Sequence, residues 1–185
     1  MHFDHFDAIA GFYDRAPAFI LSERLAGCLS LTPNNLLLDA GGGTGRVALV
    51  LRSLVRGAIV VDTSSGMLHR AAAKGLTAIY SPVESLPFPS GSIDRVVMID
   101  ALHHVSDQRQ TIRELWRVLA PGGRLVIVEP ELRRLSSKVM AVIEKLLLMR
   151  SHILSDEKIK ALFLEQDVQI DLVNEGLQVI VLAIK

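Results

Sequence analysis

Residues 36–51 read LLLDAGGGTGRVALVL, and the fold turns on this stretch. A short apolar run ends in the acidic Asp39, passes through the glycine-rich turn Gly41-Gly42-Gly43-Thr44-Gly45, and enters a helical pattern over 44–55. Glycines allow a tight turn with positive φ and let the backbone approach a ligand closely, while the free N–H groups of the new helix favour a negatively charged group. A strand, turn and helix in this order place the ligand at the carboxyl ends of the strands.

The same alternation continues in both directions. Short apolar runs at 35–39, 58–62, 76–80, 93–99 and 124–129 read as buried strands. Helical patterns lie between them at 44–55, 64–73 and 107–119, the last with Ile112, Leu115, Trp116 and Leu119 on one face. Strands apolar throughout, with helices on either side, indicate a parallel sheet covered on both faces. Residues 168–173 and 178–184 are strand-like runs around Asn174, Glu175 and Gly176, which supply hairpin turn chemistry. The expected fold is α/β: a doubly wound, mostly parallel, seven-stranded Rossmann-like sheet closed by a C-terminal antiparallel hairpin. Residues 4–29 read as helix interrupted near Pro17, and 132–163 as one or two further helices. The chain is expected to be one domain over 1–185, with a helical cap at 1–30 and a helical cover at 131–164.

Composition narrows the function. The chain has 185 residues, 50% of them hydrophobic, with 20 Lys+Arg against 20 Asp+Glu, enough apolar surface for one buried domain. A net charge of zero and the lack of any Lys/Arg block argue against a nucleic-acid partner. Cys28 is the single cysteine, so there is neither a disulfide framework nor a thiolate cluster for zinc, and a cytoplasmic setting is expected. No run of about 20 apolar residues is present, so no integral membrane segment is expected.

Spacing separates the candidate cofactors. A dinucleotide fingerprint needs Gly-x-Gly-x-x-Gly, and Arg46 occupies the third glycine position, so that match fails. The observed order is acidic-x-Gly-x-Gly-x-Gly, with the Asp39 carboxylate placed to hold an ammonium group or order water. Asp62 ends the second strand 21 positions after Gly41, close to the offset of about 20 at which a carboxylate meets ribose hydroxyls. The other reading of Asp62 is the N-cap of the following helix, a job open also to Thr63 or Ser64.

With these features placed, the segments LLLDAGGGTGRVALVL, VVDTSSGML, ESLPFPSGSIDRVVMIDALHHV and RELWRVLAPGGRLVIVEP, in this order, resemble the class I S-adenosylmethionine-dependent methyltransferases. Within them they are nearest to the small-molecule branch that includes the ubiquinone/menaquinone C-methyltransferases. The resemblance covers 36–130, and the opening FDAIAGFYDRAP looks like that branch's N-terminal helix. It implies S-adenosylmethionine as cofactor and S-adenosylhomocysteine as product. Asp39, Ala40, Gly41, Gly43 and Gly45 would form the loop around the methionine moiety, Asp62 and Thr63 would lie at the ribose, and Met67 would pack on the adenine with Val83 and Glu84 at its edge. Asp100 and Ala101 would line the methionine side, and Tyr13 would close over the cofactor. Relatives usually read Gly-Asp-Ala-Glu where this chain reads Ser81-Pro82-Val83-Glu84, and Pro82 accepts nothing through its side chain. Either Glu84 or backbone carbonyls take over, or adenine recognition is weaker.

Methyl transfer from a sulfonium is an in-line displacement that needs alignment and exclusion of water, and it requires no metal. A base enters only for acceptors that lose a proton. His103 and His104 are the candidate bases, because an unperturbed imidazole titrates near neutral pH, with a packing role as the alternative; Asp100 could act electrostatically. The run over 138–154 is apolar on more than one helical face, as a core, dimer interface or acceptor wall would be. The expected partner is a small apolar or aromatic acceptor, with a homodimer as one way to complete its site. The competing readings are a cofactor-binding sensor or partner subunit without turnover, a nicotinamide-dependent oxidoreductase and a nucleic-acid methyltransferase.

Overall fold

A computed structural model describes residues 23–130, 155–166, 168–175 and 178–185. The expected elements at 4–22 and 132–154, Tyr13 and the turn residue Gly176 lie outside the described residues. The order is α1 (Glu23–Leu29), β1 (Leu36–Ala40), α2 (Arg46–Leu51) with a 3₁₀ turn (Arg52–Leu54), β2 (Gly57–Asp62), α3 (Ser65–Ala73), β3 (Thr77–Tyr80) and β4 (Ile93–Ile99). There follow α4 (Gln108–Val118), β5 (Leu119–Pro130), α5 (Asp156–Leu162), a second 3₁₀ turn (Leu164–Gln166), β6 (Ile170–Glu175) and β7 (Gln178–Ile184). The sheet runs β3-β2-β1-β4-β5-β7-β6, parallel through its first five positions and antiparallel where β7 pairs with β5 and β6. This is the seven-stranded doubly wound sheet with a closing hairpin read from the sequence.

The period of two in the strands sorts side chains between the two faces. Leu38, Val96, Met98, Leu125 and Ile127 point to one side, where Ile112, Leu115 and Val118 of α4 cover them. Leu37, Val97, Val126 and Val128 point to the other and meet Leu25 and Leu29 of α1. Both faces are buried, which is why these strands read as unbroken apolar runs.

Helix starts follow their caps. Ser64 precedes α3 and its side chain accepts from the Met67 N–H, and Asp107 precedes α4 and accepts from the Gln110 N–H. Ser64 therefore takes the capping job that sequence left open among Asp62, Thr63 and Ser64. The helix expected over 44–55 is shorter: Gly45 sits at φ +73°, so regular helix begins at Arg46, and the chain tightens into a 3₁₀ turn after Leu51. β5 is longer than expected, because Leu119 pairs with Ile93 across a register shift while Gly122 and Gly123 exchange backbone hydrogen bonds with Lys185.

Candidate functional site

Strand order reverses between β1 and β4, and a cleft of about 280 Å³ opens there at the carboxyl ends of β1, β2 and β4. Its floor is the glycine loop. Gly41 and Gly42 donate to the Val61 carbonyl and Gly45 donates to the Gly42 carbonyl, which folds the loop back over β2. A Cβ on Gly42 would lie 2.5 Å from the Asp39 carboxyl carbon, so only glycine lets the loop cross that buried acid.

Asp39 is 1% exposed and accepts from the Ala48 N–H at 3.1 Å. Burial raises its pKa to about 7; the Ala48 hydrogen bond and nearby Arg46 oppose that rise, and the Asp62 charge adds to it. Asp62 faces it across the loop. Its Oδ2 accepts from the Gly43 N–H at 2.9 Å and its Oδ1 from the Ser64 N–H at 2.8 Å, so one carboxylate ties the glycine loop to the entry of α3.

The side wall comes from the long connection after β3. Arg117 of α4 donates to the Leu86 and Phe88 carbonyls and to Glu114, while Glu114 accepts from the Leu86 N–H. Glu84 accepts from the Ser106 and Asp107 N–H groups, and its own carbonyl accepts from Gln110. A stretch that composition marks as a loop is thus ordered from outside, and it brings Pro82, Val83 and Glu84 to the cleft beside Met67 and Thr63.

The opposite wall follows β4. Asp100 adopts φ +50°, in the left-handed region that side chains other than glycine rarely enter, and with Ala101 and His104 it lines the cleft. His104 packs at a tilt against His103, with ring centroids 4.0 Å apart and the planes 47° from parallel. Burial, and then the charge of His103, lower the His104 pKa to about 3. An imidazole of ordinary pKa was expected here; this one is uncharged at neutral pH and binds a proton weakly.

Asp39, Gly41, Gly43, Asp62, Thr63, Met67, Val83, Glu84, Asp100, Ala101 and His104 all converge on the cleft. Three candidates do not. Ala40 is fully buried within β1. Gly45 lies behind the loop, where its hydrogen leaves room for Leu76, Val60 and Ala71 to pack. His103 is 2% exposed, with Nδ1 held 2.5 Å from Glu129, and so is a poor candidate base. Sequence reasoning missed Gly42, Arg46, Ile99, Val105 and Ser106, which also line the cleft. Ile99, as the last residue of β4, was within reach of the rule that ligands sit at carboxyl strand ends; the placement of Ser106 depends on Glu84 and has no local signal.

The cleft suits an adenosyl sulfonium. It offers the acids Asp39, Asp62, Glu84 and Asp100, apolar Met67 and Val83, and a glycine floor where side chains would intrude. Among the described residues no group of three His, Cys, Asp or Glu side chains could hold a metal, and no helix is long and apolar enough to cross a membrane.

Residues 38–127 match the family model described as a methyltransferase domain. The chain is 40% identical over 101 residues to a demethylmenaquinone methyltransferase of Thermus thermophilus, covering 50% of this chain and 46% of that one. It is 34% identical over 116 residues to the 27-O-demethylrifamycin SV methyltransferase of Amycolatopsis mediterranei, covering 58% and 43%. The chain thus spans about half the length of the curated relatives it matches. Among solved structures, the complex of the Haloferax volcanii Trm112 methyltransferase activator with a methyltransferase superposes with a TM-score of 0.86 at 16% identity, over 100% of this chain and 99% of that one. An S-adenosylmethionine-dependent methyltransferase of Thermotoga maritima does so at 0.76 and 19%, over 97% and 98%.

Proposed function

We propose, from a chain that resembles the class I S-adenosylmethionine-dependent methyltransferases and carries their domain over residues 38–127, that it moves a methyl group from S-adenosylmethionine to a small apolar or aromatic acceptor. The observation that carries this reading is the convergence of Asp39, the glycine loop, Asp62 and the Asp100–Ala101 wall on one cleft at the switch point of the sheet. S-adenosylmethionine supplies an activated methyl on a cationic sulfur. The protein's part is to hold and align it. In this reading Asp62 accepts from the ribose while keeping the loop in register, Met67 and Val83 sandwich the adenine, and Glu84 fixes its edge from the side where Pro82 offers no side-chain acceptor. Asp62 and Asp100 place negative potential around a cationic ligand, Asp39 adds to it in its ionised form, and the uncharged His104 adds no repulsion.

The weak proton affinity of His104 suits it to accept a hydrogen bond from an acceptor hydroxyl rather than to carry a proton away. Alignment then supplies most of the catalysis, an effect worth about 7–11 kcal/mol in favourable cases. The relatives named for demethylmenaquinone and for 27-O-demethylrifamycin SV support a small-molecule acceptor. Segments 1–30 and 131–164, as parts of the same domain and with Tyr13, would cover the acceptor side, in a cytoplasmic monomer or a homodimer. A cofactor-binding sensor or partner subunit without turnover is the rival reading, favoured by Pro82.

Thermal unfolding with S-adenosylmethionine, S-adenosylhomocysteine and NADH tests this. A ligand at 100 times its dissociation constant adds about 2.7 kcal/mol, a rise of about 5–10 °C for a chain of this size. A rise with the two sulfur compounds alone supports the assignment; a rise with NADH alone, or with none, rejects it. Label transfer from S-adenosylmethionine to quinols and phenols then separates enzyme from sensor.

A further inference from the structure

Glu129, near the carboxyl end of β5, is 2% exposed and does not line the cleft. A carboxylate so deeply placed is costly unless its oxygens are hydrogen-bonded, and both are. Oε1 accepts from the Ala101 N–H at 3.1 Å and the Leu102 N–H at 2.9 Å, and Oε2 meets Nδ1 of His103 at 2.5 Å. The segment held this way is the left-handed wall of the cleft. Asp100, at φ +50°, donates its N–H to the Val128 carbonyl, one residue before Glu129. A Cβ on Gly41 would lie 2.7 Å from the Ala101 Cβ, so the wall is pressed against the glycine loop. His104 donates its N–H to the Ala101 carbonyl and leans on the His103 ring.

We infer that Glu129 is a positioning residue, which fixes the 100–104 wall of the cleft against Gly41 through two backbone N–H groups and His103 without touching the ligand. The choice of ligand rests on the methyltransferase reading; the clamp itself does not. A carboxylate presents two acceptor oxygens to these two sets of donors, and an amide presents only one. Glu129→Gln, though isosteric, replaces charge-assisted hydrogen bonds by weaker neutral ones, and its amide serves both sets only if Nδ1 of His103 turns from donor to acceptor, so the loop is held less firmly.

The test uses the full chain and two measurements. S-adenosylhomocysteine binding is read by titration calorimetry at a temperature where far-UV circular dichroism shows Glu129→Gln fully folded, and amide exchange of Ala101 and Leu102 is read by NMR against Leu38 in the central strand. The expected result is a dissociation constant raised about tenfold, with exchange at Ala101 and Leu102 accelerated relative to Leu38. A purely structural carboxylate would lower the melting temperature and leave both readouts of the folded protein unmoved, and that result overturns the inference. Should Glu129→Gln not fold, Glu129→Asp keeps both oxygens one methylene shorter; faster exchange at the two amides is expected, and exchange identical to the parent overturns the inference. If the parent chain does not bind S-adenosylhomocysteine, the methyltransferase reading fails, and the exchange measurement still decides the clamp.

Discussion

Gly45→Ala should destabilise the fold strongly, and its cost can be divided into two parts. The residue sits at φ +73°, and a Cβ there would lie 2.4 Å from Leu76 Cδ1, 3.2 Å from Val60 Cγ2 and 3.3 Å from the Ala71 Cβ. The left-handed backbone costs about 1–2 kcal/mol for a residue with a side chain. Overpacking between α2, α3 and β2 adds about 1–3 kcal/mol, because Val60 and Ala71 are fully buried and Leu76 nearly so. The sum is about 2–5 kcal/mol, a large share of the roughly 5–15 kcal/mol that holds a domain together. Gly122→Ala supplies the control: its φ is +76°, and nothing lies within 4 Å of the added Cβ. Urea unfolding of both variants isolates the packing part, with Gly45→Ala expected to fall below Gly122→Ala by about 1–3 kcal/mol. Equal losses would mean that the α2–α3 packing is loose, and that Gly45 is demanded by its backbone angle alone.

Asp62→Ala should weaken S-adenosylhomocysteine binding by tenfold or more in calorimetry and lower stability by about 1–3 kcal/mol, because it strands the Gly43 and Ser64 N–H groups; parental affinity would remove Asp62 from the ligand. Pro82→Asp, which restores the acceptor that relatives carry, should tighten the same binding, and no gain would show that Glu84 or the backbone already serves the adenine. Two groups give opposed pH dependences. Asp39, raised in the folded state to about 7 from an unfolded value near 4, contributes stability that is lost as pH rises between those values. His104, lowered to about 3 from about 6.5, contributes a penalty that is relieved as pH rises across its own window. Urea midpoints of Asp39→Asn should therefore rise from pH 4.5 to 6.5 more steeply than the parent's, and those of His104→Phe should fall between pH 4.5 and 7. Parallel profiles for parent and variants would refute both shifts.

The architecture was legible because the inner strands are covered on both sides and so are written as largely apolar runs, and because the glycine-rich turn between Asp39 and Arg46 has few other uses. Membership of a motif says less about which way a residue faces. Ala40 and Gly45 belong to the loop's signature yet point into the sheet and the helix packing, a distinction set by backbone angles that the sequence does not print. His103 and His104 are neighbours of the same type, and only a carboxylate on another strand, Glu129, separates the buried one from the one at the cleft. The low pKa of His104 arises first from burial, which the fold sets, and then from the neighbouring His103. The order in residues 81–92 was equally hidden, because Arg117 and Glu114 impose it from a distant helix.

Among the described residues, all those that line the cleft fall between Asp39 and Ser106, whereas β7 joins the sheet by pairing with β5 from far along the chain. The consequence is temporal. On a ribosome the segment that forms the cleft emerges well before the last two strands, and bringing β7 to β5 then closes a long loop at an entropic cost that grows only slowly with its length. If the cleft can engage its ligand before the hairpin joins, refolding from urea should be faster with S-adenosylhomocysteine in the buffer than with the ligand added afterwards.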